Sequence, residues 1–328
     1  MAHPTLKLLA KALLIAAVSG EAIHAQTTQL TEAEALSAIT LATNPSTKLA
    51  AAEEFIARFP KSTSRRKAAE LVAAEILKVR NGTVAITLVE RAQTIFTTDE
   101  EREIFKPVAL EAYATGNRPG DAFKLAEELL AKDPDDLETL VQMTRAAADE
   151  VKKRNREHND VALQYGLKAI ALIEGGTKPA KVGEQSWAEH TTKLGELYQQ
   201  IAILYLGKGD TNEARERLAK ATSLRPLDPS NFALLGRVMY ADYVKQMDEY
   251  QKLPEGKAKQ ERLKQLDSML DPIIDAYAHA AGLALGRPEY QTLMQQVIPD
   301  LTNHYKYRNN KSTKGLQELI NKYKLPPR

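Results

Sequence analysis

Apolar side chains return every three or four residues along almost the whole chain. In "LAAAEEFIARF", "GDAFKLAEELLAK" and "TNEARERLAKATSL", Ala, Leu, Ile and Phe share one face while Glu, Lys and Arg take the other. That spacing predicts amphipathic α-helices, because 3.6 residues per turn bring positions i, i+3, i+4 and i+7 to one side. No Asn-Gly turn sits between runs of alternating apolar and polar residues, so nothing reads as a β-hairpin. Asn81-Gly82 follows a helical pattern and reads as the C-cap of a helix. The chain is predicted to be all-α.

The boundaries between helices are written in short polar signals. Thr31 with Glu34, and Thr98 with Glu101, have the spacing of capping boxes. Asp133-Pro134, Arg225-Pro226 and Asp228-Pro229 each stop one helix and start another, since proline cannot continue a helix but suits its first turn. Gly209-Asp210 makes a turn between two helices. The segments "EGGTKPAKVGEQ" (174–185) and "KLPEGKAKQ" (252–260) read as longer loops.

One stretch, Ala202 to Tyr240, shows a period. Ala202 and Gly236 hold the same small-residue position 34 residues apart. A small residue there lets the two helices of a hairpin approach closely, and Ala214 and Ala221 do the same from the facing helix. The pattern Ala202, Tyr205, Gly209, Ala214, Leu218, Ala221, Pro226 resembles the tetratricopeptide repeat family. A second copy fits Tyr113, Ala122, Ala126, Leu129 and Pro134, with Asn117 at the turn glycine and Leu110 at the first small position. A third, 46–77, resembles divergent repeats of envelope assembly proteins, and a half-copy contains Ala276, Ala280, Leu283 and Pro288. The resemblance implies a right-handed α-solenoid of about seven helical hairpins over 26–328, with residues 287–328 as a polar cap.

Composition adds where the protein works. Lys7 and Lys11 precede the apolar run "ALLIAAV" (12–18), Gly20 breaks it, and Ala25 supplies a small residue before Gln26. This is the form of an export signal covering 1–25, and it is too short to span a bilayer. The chain has no cysteine, which rules out disulfides and thiolate chemistry and favours the bacterial periplasm over eukaryotic secretion. A formal net charge of +2 provides no field to steer a nucleic acid. Aromatics are scarce at 6% while Ala and Leu abound, a mixture suited to closely packed helices.

Chemistry is thinly represented. Beyond the leader, His158, His190, His279 and His304 show no metal-ligand spacing, and the carboxylates cluster at helix starts where the macrodipole favours them. "GGTKPAKVG" lacks the Gly-Lys-Ser/Thr ending of a phosphate loop. The basic, tyrosine-bearing segment Tyr305 to Lys314 reads as an inter-helix turn with tyrosines packed beneath it, with an anionic surface as its alternative target. The lone Trp187 is expected to close the core rather than hold a ligand. No catalytic, cofactor or metal residue is expected.

The resemblance implies that the first helix of each repeat lines a groove for a protein or peptide partner. Carrying its groove positions across gives Glu138, Gln142 and Arg145, then Gln199 and Ile203, then Arg237 and Tyr240. Gln199 and Ile203 stand where the family's carboxylate clamp uses Lys and Asn, so a mixed polar and apolar groove is expected. Tyr198, Ile201, Tyr205, Leu235 and Met239 are expected to be buried between helices. The alternative is an all-helical envelope enzyme that cleaves glycans with a single catalytic carboxylate. Mass analysis of the exported protein should find an N-terminus at or near Gln26; a soluble cytoplasmic form that retains Met1 would overturn the export reading.

Overall fold

The computed structural model describes residues 30–326. The stretch expected to be an export signal, 1–25, lies outside them. Every regular element among the described residues is helical. The order is α1 (Glu32–Leu41), α2 (Pro45–Arg58), α3 (Arg65–Ile76), α4 (Gly82–Ile95), α5 (Asp99–Thr115), α6 (Pro119–Lys132), α7 (Leu137–Lys152) and α8 (Asn159–Glu174). There follow α9 (Glu184–Thr192), α10 (Leu194–Lys208), α11 (Thr211–Leu224), α12 (Pro229–Gln251), α13 (Lys257–Ala284), α14 (Gln291–Arg308) and α15 (Leu316–Asn321), with a 3-10 turn at Pro288–Tyr290.

The polar signals act where the sequence places them. Thr31 and Glu34 form a complete capping box on α1, and Thr98 and Glu101 form one on α5. Asp136, Asp210 and Asp228 accept backbone N–H bonds at the starts of α7, α11 and α12. Gly209 ends α10 in the left-handed region at φ 79°, and Asn117 adopts φ 61° at the equivalent turn, a conformation asparagine tolerates. Asn81 departs from expectation. Its side chain accepts from the Val84 amide, so it opens α4 instead of closing α3. Asparagine satisfies helix starts and helix ends alike, and the sequence motif does not say which.

Successive helices pack as hairpins: α1 with α2, α3 with α4, α5 with α6, α7 with α8, α10 with α11 and α12 with α13, while α4 packs more extensively on α5 than on α3. Contacts beyond the hairpin reach only nearby helices, as in α1 to α3, α3 to α5, α5 to α7 and α7 to α10. The short α9 is inserted between the fourth and fifth hairpins, and both α14 and α15 rest on α13. The apolar interior follows the same order. One cluster runs from Ala35 to Ala112, a second from Leu110 to Val238 and a third from Ala233 to Ile320.

Large aromatic anchors are few beside the buried leucines and isoleucines. Phe55, Phe96 and Phe105 are fully buried, each contributing about 1.5–3 kcal/mol by leaving water. In the central cluster the close contacts are made by alanines such as Ala122, Ala126, Ala202, Ala214 and Ala221, all at 0% exposure. Trp187 is half-buried against the central cluster, as expected of a closing residue. Tyr198 and Ile201 are buried; Tyr205, Leu235 and Met239 are partly buried against the core.

Glu101 shows one residue serving two elements. It completes the cap on α5 and is 2% exposed, while Arg65 of α3 donates to both its oxygens at 2.7 and 2.9 Å. Burial pushes its carboxyl up, but the Arg65 pair and the Thr98 amide outweigh that and hold it below the usual range.

Two glycines let neighbouring helices come close. A methyl group on Gly82 would lie 2.4 Å from the carbonyl carbon of Thr115 and the nitrogen of Gly116, so α4 starts against the end of α5. One on Gly236 would lie 2.9 Å from the Tyr277 ring, where α12 crosses α13. Gly82→Ala should therefore destabilise the fold by about 1–3 kcal/mol, since backbone atoms cannot step aside. Gly120→Ala, with nothing within 4 Å, should leave the melting temperature unchanged or slightly raised. Equal melting temperatures for the two variants would contradict the close approach.

Candidate partner-binding surface

The seven expected groove residues lie on α7, α10 and α12, and five of them act as rungs to a neighbouring helix. From α7, Gln142 Nε2 and Arg145 Nη2 both donate to Glu111 on α5, Arg145 at 2.9 Å. Also on α7, Glu138 Oε2 lies 2.9 Å from His190 Nε2 and 3.4 Å from Ser186 Oγ on α9. From α10, Gln199 Nε2 donates to Asn231 Oδ1 on α12 at 2.7 Å, and from α12 Arg237 Nη2 donates to Gln296 on α14 at 3.4 Å. Asn231 is itself 1% exposed and donates to the carbonyl of Ala221, so the Gln199 rung is anchored in the core.

Ile203 is a correction. It is 6% exposed and belongs to the central apolar cluster rather than to an open face. The cause is the position of α10, which is packed by α7, α8 and α11 together, leaving little of its circumference free. Gln142 is likewise buried at 7% and spends its amide on Glu111. Glu138, Arg145, Arg237 and Tyr240 remain exposed.

Three of the residues come together. Glu138, Gln142 and Arg145 line a cavity of about 140 Å³ between α7, α9 and α10, closed on the other side by His190, Lys193 and Gln200. Oε1 of Gln200 has no hydrogen-bond partner among the described protein groups. The carboxyl of Glu138 is held below the usual range, chiefly by the hydrogen bond from His190 and further by Ser186 and the charge of Arg145, with desolvation opposing. Gln199, Ile203, Arg237 and Tyr240 do not line this cavity.

Tyr240 instead borders a second cavity of about 390 Å³, with Tyr243 and Leu270 and with Asp300, His304 and Tyr307 from α14. Its ring lies 4.5 Å from that of His304, tilted by 46°, and 5.9 Å from that of Tyr243. His304 also stacks on Tyr277 at 5.9 Å. Burial lowers the pKa of His304 and raises those of Tyr243 and Tyr277 to about 12, so these rings stay neutral at physiological pH. Of the basic segment that follows, Tyr305 is half-buried and donates its hydroxyl to the Lys314 carbonyl at 2.8 Å, whereas Tyr307 is exposed.

Sequence reasoning missed His190, Glu111, Asp300 and His304. His190 meets Glu138 across 52 residues of chain, a distance no local spacing reveals. The His304–Asp300 spacing of one helical turn, with Tyr240 and Tyr243 at a similar interval on α12, is the signal that was present.

No protein-family model matches the chain, and no curated protein matches it. Among solved structures, a monomeric mutant of IFIT1 with m7Gppp-AAAA is similar at 15% identity and a TM-score of 0.32. That match covers 86% of this chain and 66% of the other, just under two thirds of its length.

If the His190 contact controls Glu138, carboxyl NMR titration should show the Glu138 pKa rising toward the ordinary value in His190→Ala. A titration midpoint that does not move would show that this contact is absent in solution.

Proposed function

We propose that this chain is an exported, non-enzymatic scaffold that holds a protein or peptide partner on a tetratricopeptide-like array in the cell envelope. The observation that carries the reading is the order of the contacts. Each helix touches helices close to it in the chain, and α5, α7 and α10 meet in sequence. Such stacking is the arrangement from which a right-handed superhelix with a continuous partner-binding face is built. Along that face Glu138 and Arg145 expose opposite charges beside a cavity with a buried amide acceptor, the mixed surface that suits an extended peptide. The leader-like N-terminus and the lack of cysteine support an envelope location.

The enzymatic alternative requires one carboxyl in an unusual environment. A general acid requires a carboxyl raised toward neutrality. The carboxyls with a resolved shift among the described residues move down, each with a hydrogen-bond partner, as Glu103 does with Lys106 and Lys132 and Glu150 with Lys153.

The test is capture from envelope extract by the tagged mature chain, beside a Glu138→Ala, Arg145→Ala double variant. Both residues are on the surface, so the variant should keep its helicity and melting temperature while losing the captured partner. A folded variant that retains the same partner would remove this face from the binding surface. Hydrolysis of envelope glycan by the purified chain would replace the scaffold reading with the enzymatic one.

A further inference from the structure

The chain repeats one small constellation, a tyrosine ring covered by a cation that also meets a carboxylate; the cation is a lysine at Tyr250 and Tyr323 and a guanidinium at three further rings. Arg118 lies 4.7 Å from the Tyr113 centroid and pairs with Asp121 and Glu90 at 2.5 and 2.6 Å. Arg217 lies 5.8 Å from the Tyr205 centroid and pairs with Glu213 at 2.8 Å. Arg287 lies 4.3 Å from the Tyr290 centroid and pairs with Glu289 at 3.1 Å. The physics is the same each time. The flat cation rests on the negative ring face while its N–H edge meets the carboxylate.

At the cavity between α12 and α14 the rings and the carboxylate are present without an arginine of this chain. Tyr240 and Tyr307 are 36% and 61% exposed, and no described cation lies over either ring. Asp300, the only charged side chain lining the cavity, forms no hydrogen bond or ion pair with a described residue. Arg237 on α12 donates to Gln296 rather than to this cavity. Asn303 adds a carbonyl acceptor beside Asp300.

We propose that this cavity receives the guanidinium of an arginine side chain from the bound polypeptide, stacked on Tyr240 and Tyr307 and paired with Asp300. This rests on the partner-binding reading and specifies the chemistry of the partner. A guanidinium fits better than a quaternary ammonium, which has no N–H donor for Asp300 and Asn303, and better than a lysine ammonium, whose compact charge lacks a flat face to lie on the rings. It fits better than a sugar, because only a cation gains from both the ring faces and the Asp300 carboxylate. The volume of about 390 Å³ accommodates the guanidinium together with its methylene stem.

The probe is acetyl-arginine methylamide, titrated into the full mature chain and followed through the ring resonances of His304 and the tyrosines. Saturable binding is expected, at least about tenfold tighter than for the citrulline analogue, which has nearly the same shape and no charge. Tyr240→Ala and Asp300→Asn should each weaken it by about tenfold at unchanged melting temperature. The Glu138→Ala, Arg145→Ala variant should bind the probe normally, so loss of the partner and loss of this site are separate outcomes. Equal binding of citrulline would overturn the proposal, as would full binding by Asp300→Asn. Tetramethylammonium binding as tightly as arginine would assign the site to the rings alone. Saturation by N-acetylglucosamine but not by arginine would make it a sugar site.

Discussion

The structure depends on how closely its helix backbones approach. With few aromatics available, many helix contacts are made by alanine and glycine, which let neighbouring helices close on the buried leucines, isoleucines and phenylalanines between them. Gly82 against the end of α5 and Gly236 under the Tyr277 ring are two such approaches. The alanines at Ala122, Ala126, Ala214 and Ala221 hold the second helices of two hairpins against their neighbours. Dispersion falls off steeply with separation, so a chain stabilised without disulfides gains most by excluding even small voids. The surface rungs then form between side chains that the backbone spacing has already brought within reach.

Those rungs explain why the exposed row is polar. Each joins two helices that are separated in sequence by a hairpin or a loop, as Arg145 does with Glu111 and Gln199 with Asn231. Exposed pairs of this kind contribute little to stability. Their effect is geometric. A carboxylate accepting from two donors fixes the rotation of α7 relative to α5, and with it the direction in which the remaining charges point.

How much could be read from the chain follows from the range of each interaction. Caps and turns are local, so Thr98, Asp210, Gly209 and Asn117 disclosed their roles directly. Helical facing is also local, and it placed Tyr198 and Ile201 in the core. It failed for Ile203 because α10 is enclosed on more sides than a two-faced helix allows. Asn81 was misread because both helix termini accept an asparagine. The pairing of Glu138 with His190, and the gathering of Tyr240, Asp300 and His304, depend on where distant helices come to lie. No periodicity within one helix encodes that.

The three apolar clusters follow one another in chain order, and that ordering has a kinetic side. Bringing distant parts of a chain together carries a loop-closure entropy that must be met before any contact rewards it. Here most partners of a helix are its near neighbours in sequence, so each hairpin can form soon after its own residues are available. Structure can then propagate from whichever hairpin forms first, the next helix condensing on a surface already built. A chain of this kind emerging gradually, end first, would leave little apolar surface waiting for a partner not yet made.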